Sequence, residues 1–205
     1  MLVKYRWMVM IAVALGCCRP VFAQNIDVDI LNSINPENPN SQYWRQTSNS
    51  VYWVGAALPA GTLICGLISG DEKAKHTSYD LFISLGANIL ITDVFKKTFN
   101  RTRPAEEYPG IIFSSPSNGM SFPSGHTSLA FATATTLSLQ FKKWYIVVPA
   151  YAWAGSVAYS RMYLGKHYPS DIVGGALVGV GSGFASHWLN RKLFKQYYQH
   201  RLYDQ

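Results

Sequence analysis

The stretch Ser160-Arg161-Met162-Tyr163-Leu164-Gly165-Lys166-His167-Tyr168-Pro169-Ser170-Asp171 separates two apolar runs, Trp144–Ser160 before it and Ile172–Leu189 after it. Proline is tolerated in the first turn of a helix, so Pro169 and Ser170 predict that the last helix starts there. Asp171 then falls in that first turn, four residues after His167. This spacing lets the carboxylate hold the imidazole in one tautomer. A histidine oriented in this way is the base or nucleophile half of a catalytic triad. The titratable residues therefore gather where long apolar segments end, and the rest of the chain is read outward from that point.

Upstream lie three further apolar runs, Val51–Gly70, Thr77–Phe95 and His126–Phe141. Each of the five suits a short or tilted membrane helix, against about 20 residues for a full span. Glycine and alanine recur in them and favour close helix packing. Trp53, Trp144, Tyr145 and Trp188 fall near segment ends, where aromatic belts form. No internal repeat is visible, and no alternating pattern is long enough for a sheet. Across 205 residues, 48% are hydrophobic and 14% charged, against about 25% charged in an average domain. That excludes a disordered chain and argues against a coiled-coil or collagen-like fibre. Asp80 and Asp93 inside the second run, and a mean hydropathy of +0.02, are features that a soluble α-bundle would share. The reading is an all-α, multi-pass transmembrane helical bundle of five helices plus an N-terminal signal or sixth helix.

Residues 1–23 read as a secretory signal peptide or a retained first membrane helix. Lys4 and Arg6 open it, Met8 to Cys18 form its apolar centre, and Val21-Phe22-Ala23 offers a cleavage site. Residues 24–50 read as a polar N-terminal arm with turns at Asn35-Pro36 and Asn38-Pro39. The body covers 51–190, and 191–205 form a basic cytoplasmic tail. With Cys17 and Cys18 in the leader and Cys65 in an apolar run, loss of the leader leaves no intrachain disulfide.

Charge gives an orientation. Lys73 and Lys75, Lys142 and Lys143, and Arg191, Lys192 and Lys195 all fall between or after runs on one side, which the positive-inside rule puts in the cytoplasm. Loops 96–125 and 161–171 then face the other side. The first of these is also basic, with Lys96, Lys97, Arg101 and Arg103, so those cations need a different explanation.

Phosphate chemistry supplies one. Three motifs end on the same face: Lys96-x6-Arg103-Pro104, Pro123-Ser124-Gly125-His126, and Ser160-Arg161-x5-His167-x3-Asp171. A transferring phosphoryl group spreads negative charge over its oxygens, and its catalysis is mostly positioning and electrostatic stabilisation. Lys96, Arg103 and Arg161 are cations for those oxygens. Ser124 and Gly125 stand where a helix begins, and N–H groups there bind anions; Ser124 also suits the N-cap position. His167, oriented by Asp171, is the nucleophile or base, and His126 is then the acid that protonates the leaving oxygen. Each residue alone has an ordinary explanation as a lipid anchor, a turn or a helix cap. Eleven identities in this order do not. No histidine or carboxylate cluster has metal-ligand spacing, so no metal and no cofactor is expected. Basic residues form no stripe, so nucleic acid is not an expected partner.

The three-part pattern resembles the type 2 phosphatidic acid phosphatase (PAP2) superfamily, which includes membrane lipid phosphatases, soluble acid phosphatases and vanadium haloperoxidases. All eleven positions match. The resemblance implies that His167 attacks phosphorus to form a phosphohistidine and that Asp171 orients it. It implies that His126 protonates the leaving group, while Lys96, Arg103, Ser124, Gly125 and Arg161 bind phosphate. It implies a metal-independent phosphatase of the bacterial inner membrane, facing the periplasm. The expected substrate is a lipid phosphate or diphosphate: undecaprenyl diphosphate, lipid A or phosphatidylglycerol phosphate. The alternative is a soluble exported acid phosphatase. Family members often have six membrane helices, against the five runs and leader here.

Overall fold

The computed structural model describes residues 20–115 and 119–194, with side chains described from residue 26 onward. Expectations for residues 1–19 and for the tail beyond 194 lie outside the described residues. The described chain is helical: α1 (Pro20–Ile34), α2 (Gln42–Ser69), α3 (Glu72–Phe99), the single turn α4 (Pro104–Glu107), α5 (Gly125–Phe141), α6 (Trp144–Tyr163) and α7 (Pro169–Leu193).

Local chemistry sets the turns. Gly70, at φ +68°, ends α2, and Asp71 then caps α3 by accepting from the N–H groups of Lys73 (2.8 Å) and Ala74 (3.3 Å). This makes α2 and α3 antiparallel neighbours. Asn100 ends α3 in the left-handed region at φ 43°, and Lys142 ends α5 in the same way at φ 52°.

The five apolar runs all fall in helices, and α5 packs against each of α2, α3, α6 and α7. Three stretches, Gln42–Ser69, Glu72–Glu107 and Pro169–Leu193, are long and apolar enough to cross a membrane by length and composition. The distribution of side chains is that of a protein in lipid. Trp53, Ile68, Leu90 and Leu177 are exposed, whereas Ser84, Asn88, Thr127, Ser128 and Thr136 are fully buried. Without a hydrophobic drive between helices, association rests on small residues and on hydrogen bonds across the interface.

Both devices are present. On α7, a Cβ at Gly175 would lie 2.6 Å from the Ser124 carbonyl oxygen; one at Gly179 would overlap that of Ser128; one at Gly183 would lie 2.8 Å from Thr135 Cβ. The α5–α7 contact is thus backbone to backbone. Asn88 on α3 donates to Ser128 on α5 (2.5 Å) and Ser182 on α7 (3.3 Å), tying three helices at one level. Towards the other end, buried Asp80 accepts from Gln140 and faces His187 Nδ1 at 3.0 Å. That explains Asp80 inside the second run: it is directed inward and hydrogen-bonded, as ionisable groups within membrane bundles are, whereas Asp93 is exposed and pairs with Lys97 at 2.6 Å.

The region read as a polar arm is different in structure. Helix α1 starts at Pro20, runs through the expected cleavage site and packs on the bundle through Leu31, which is fully buried with Ile111 and Tyr168. Helix α2 begins at Gln42 rather than Val51. Among the described side chains, the apolar contact of α1 with the body is made by Val28 and Leu31, and two apolar positions amid Asp and Asn give no periodic signal.

Two outcomes follow. Gly179→Leu pushes α7 off α5 and lowers stability by about 3 kcal/mol or more, read as a loss of folded, monodisperse protein in detergent. His187→Ala removes a hydrogen-bond partner from Asp80 in the bundle core and costs about 1–3 kcal/mol, read from melting in detergent, whereas exposed Asp29→Asn leaves the melting point in place.

Candidate active site

Helix direction brings the three motifs to one end. Helices α3 and α6 finish there, and α5 and α7 begin there. Lys96 comes from the last turn of α3, Arg161 from the last turn of α6. Cations at helix C-termini are favoured by the helix dipole, and anions are favoured at the N-termini opposite. The site therefore combines positive side chains with the N–H ends of α5 and α7.

A cavity of about 320 Å³ opens at this end, lined by Lys96, Arg103, Gly125, His126, Arg161 and His167, with Tyr52, Asn88, Ile89, Thr92, Asp93 and Leu129 completing its walls. Six of the eight residues singled out from sequence thus share one space. Asp171 and Ser124 are fully buried and stand behind it.

Each cation is aimed by a specific bond. Lys96 Nζ donates to the Met120 carbonyl (2.6 Å). Arg103 donates from Nε to the Gly119 carbonyl (2.9 Å) and from one terminal nitrogen to that of Lys166 (3.0 Å). Arg161, buried at 7% exposure, donates to Ser48 Oγ of α2 (2.7 Å). Its Nε is buried with no hydrogen-bond partner among the described residues. A donor left unpaired in this way on a cavity wall is costly unless an acceptor arrives. His126 sets its ring edge against Tyr52, with centroids 4.9 Å apart.

The loop 164–168 turns on Gly165 at φ +67°, where an added Cβ would overlap the Ile112 carbonyl; only glycine fits. It delivers His167, at 2% exposure, with Nδ1 facing Asp171 Oδ2 at 3.4 Å. Burial pushes the imidazole pKa down to about 3 against the raising effect of Asp171, with Arg161 and Arg103 pushing the same way as burial. The ring is therefore neutral, with an electron pair available, at ordinary pH.

Asp171 is held on both oxygens. Oδ2 accepts from Ser121 Oγ (2.5 Å) and from the Tyr168 N–H (3.0 Å), and Oδ1 accepts from Arg101 (2.9 Å). Ser124 occupies the N-cap position of α5, but its side chain makes no cap bond; it accepts from Thr127 Oγ1 (3.0 Å), while its N–H donates to the Asp171 carbonyl (3.0 Å). Sequence reasoning missed Ser121, Arg101, Tyr52 and Asp27. Arg101 was visible as a basic residue without a role; the other three carry no local signal. Among the described residues, no group of three or more His, Cys, Asp or Glu is placed to hold a metal ion.

Residues 78–195 match the family model of the PAP2 superfamily. The chain is 30% identical over 167 residues to a protein of Escherichia coli named putative undecaprenyl-diphosphatase YbjG, covering 77% of this chain and 79% of that one. It is 33% identical over 94 residues to the lipid A 4'-phosphatase of Bacteroides thetaiotaomicron; this covers 46% of this chain but only 42% of that protein's length. Among solved structures, Aquifex aeolicus LpxE superposes with a TM-score of 0.62 at 28% identity, covering 77% of this chain and 92% of that one. A transmembrane PAP2-type phosphatidylglycerolphosphate phosphatase from Bacillus subtilis superposes at 0.65 and 18% identity, covering 91% of this chain and 94% of that one, and shares the fold.

Proposed function

The chain belongs to the PAP2 superfamily, and from that premise we propose that it is a metal-independent membrane phosphatase. Its substrate is a lipid phosphate or diphosphate, with undecaprenyl diphosphate, lipid A and phosphatidylglycerol phosphate as candidates. The observation that carries this reading is the single cavity in which Lys96, Arg103, Arg161, His126 and His167 meet, at the end of a bundle whose outer surface is apolar.

His167 Nε2 attacks phosphorus, since Nδ1 faces Asp171. The bond from phosphorus to the leaving oxygen breaks as His126 gives that oxygen a proton; burial and the cations around it lower its imidazole pKa to about 2, so the negative charge of the bound phosphate is what lets it carry that proton. Lys96, Arg103, Arg161 and the N–H of Gly125 hold the phosphoryl oxygens, while the Ser124 N–H is engaged by the Asp171 carbonyl behind them. Water then attacks the phosphohistidine, His126 takes its proton, and inorganic phosphate leaves with His167 restored. Lys73, Lys75, Lys142, Lys143, Arg191 and Lys192 lie at the opposite end of the bundle, which supports an inner-membrane protein with its site towards the periplasm.

The test is phosphate release by detergent-purified protein with EDTA present, on the three lipids and a small soluble ester. The wild type releases phosphate from one lipid above the others, and His167→Ala lowers the rate by a factor on the order of 10³ or more. Preference for the soluble ester, or loss of activity on chelation, overturns the reading.

The pH profile is a separate check. Attack needs His167 neutral, and burial holds its pKa near 3, below the ordinary 6.5. Protonation therefore removes activity only as pH falls well under 6.5. The acid limb of kcat/KM for His167 lies below pH 6 in the wild type, and an acid limb at 6.5 or above contradicts its buried position.

A further inference from the structure

Arg101 does not line the cavity. It lies behind it and touches four groups at once. One terminal nitrogen donates to Asp171 Oδ1 (2.9 Å) and to Ser170 Oγ (2.6 Å); the other donates to Asp27 Oδ2 of α1 (2.9 Å). Its guanidinium lies 3.9 Å from the centre of the Tyr168 ring. Asp27 is itself buried and accepts from the Ser170 N–H (3.0 Å) and from Ser170 Oγ. The end of α1 is tied down as well: Asn35 accepts from the Ile112 N–H and donates to the carbonyls of Ile112 and Tyr163, each at 2.9 Å.

The electrostatics of this arrangement exceed what docking a helix needs. Asp171 must carry negative charge towards His167, because the ring becomes cationic as it bonds to phosphorus. A guanidinium bonded to Asp171 alone would neutralise it. Here two carboxylates share one guanidinium, so the group keeps a net negative charge while Arg101 still fixes the Asp171 rotamer. Asp27 supplies the second carboxylate, and it comes from a helix outside the three catalytic motifs.

We propose that Asp27 and Arg101 are positioning residues for the His167–Asp171 pair, and that α1 is through them a working part of the active site. This rests on the phosphatase reading above. Three consequences follow. Asp27→Asn leaves shape and packing in place but lets Arg101 neutralise Asp171. Asp27→Glu restores the charge. Arg101→Ala releases the Asp171 rotamer, and a small guanidinium ion can re-enter the space.

The experiment uses the full chain in detergent with the four phosphate substrates named above. Asp27→Asn and Arg101→Ala lower kcat by about 10- to 100-fold with KM within about twofold, the usual effect of losing an outer partner of a catalytic group. Asp27→Glu recovers most of kcat, guanidinium at non-denaturing concentration recovers part of it in Arg101→Ala, and exposed Asp29→Asn matches the wild type. A second measurement needs no turnover. In protein labelled with ¹⁵N-histidine, the Nδ1 signal of His167, assigned by its loss in His167→Ala, shifts in both variants. If the wild type cleaves none of the substrates, the phosphatase reading fails and the ring signal alone decides the role of Asp27. An active wild type with unchanged kcat in both variants overturns the proposal. So does a raised KM at constant kcat, which would make Arg101 a substrate-binding residue, or an unchanged Nδ1 signal in both.

Discussion

Helices α5 and α7 approach backbone to backbone at Gly175 and Gly179, with Gly183 against the Thr135 side chain, and this contact sets the spacing of the end where the three motifs meet. Because no side chains intervene, the two helix starts lie side by side, close enough for the Ser124 N–H to reach the Asp171 carbonyl. The second and third motifs, far apart in sequence, are thereby joined at their first turns. Separating the helices by one methyl group would move His126 relative to His167, and phosphoryl transfer depends on such positioning.

The same geometry distributes charge economically. The ends of α3 and α6 bring Lys96 and Arg161 to places where a cation is stabilised by the helix it ends. The starts of α5 and α7 point N–H groups at the same region. In lipid, the bundle interior cannot hold unpaired charge, and the described ionisable groups within it are directed accordingly: Asp80 meets His187 and Gln140. Positive charge is left to accumulate at the end of the bundle where Lys96, Arg103 and Arg161 line one cavity. On the phosphatase reading proposed above, this accounts for the basic loop 96–125 that disagreed with the orientation rule.

What could be read from the sequence divides along physical lines. The helices were legible because the apolar runs Val51–Gly70, Thr77–Phe95, His126–Phe141, Trp144–Ser160 and Ile172–Leu189 are separated by polar and basic residues. His126, His167, Asp171, Lys96, Arg103, Ser124, Gly125 and Arg161 were legible because the chemistry of phosphate needs those types at fixed spacings on helix ends. The supporting shell was not. Ser121 is an ordinary serine until folding brings it to Asp171. Tyr52 is one aromatic among several in an apolar run until folding sets it against His126. Asp27 belongs to a segment whose polarity hides its helix, since α1 meets the bundle through only a few side chains. Partners of this kind are fixed by tertiary distance alone, and no local pattern records it.

The unpartnered Nε of buried Arg161 has a consequence for turnover. In an empty site, Lys96, Arg103 and Arg161 repel one another and one donor goes unused. An anion relieves both costs, whether it is the head of a lipid or free inorganic phosphate, because both present the same oxygens. Such a site cannot favour its substrate greatly over its final product by charge alone. On the phosphatase reading proposed above, preference for a lipid comes instead from the apolar walls of the cavity, Ile89 and Leu129. On that reading, free phosphate therefore competes with the substrate for the same three cations.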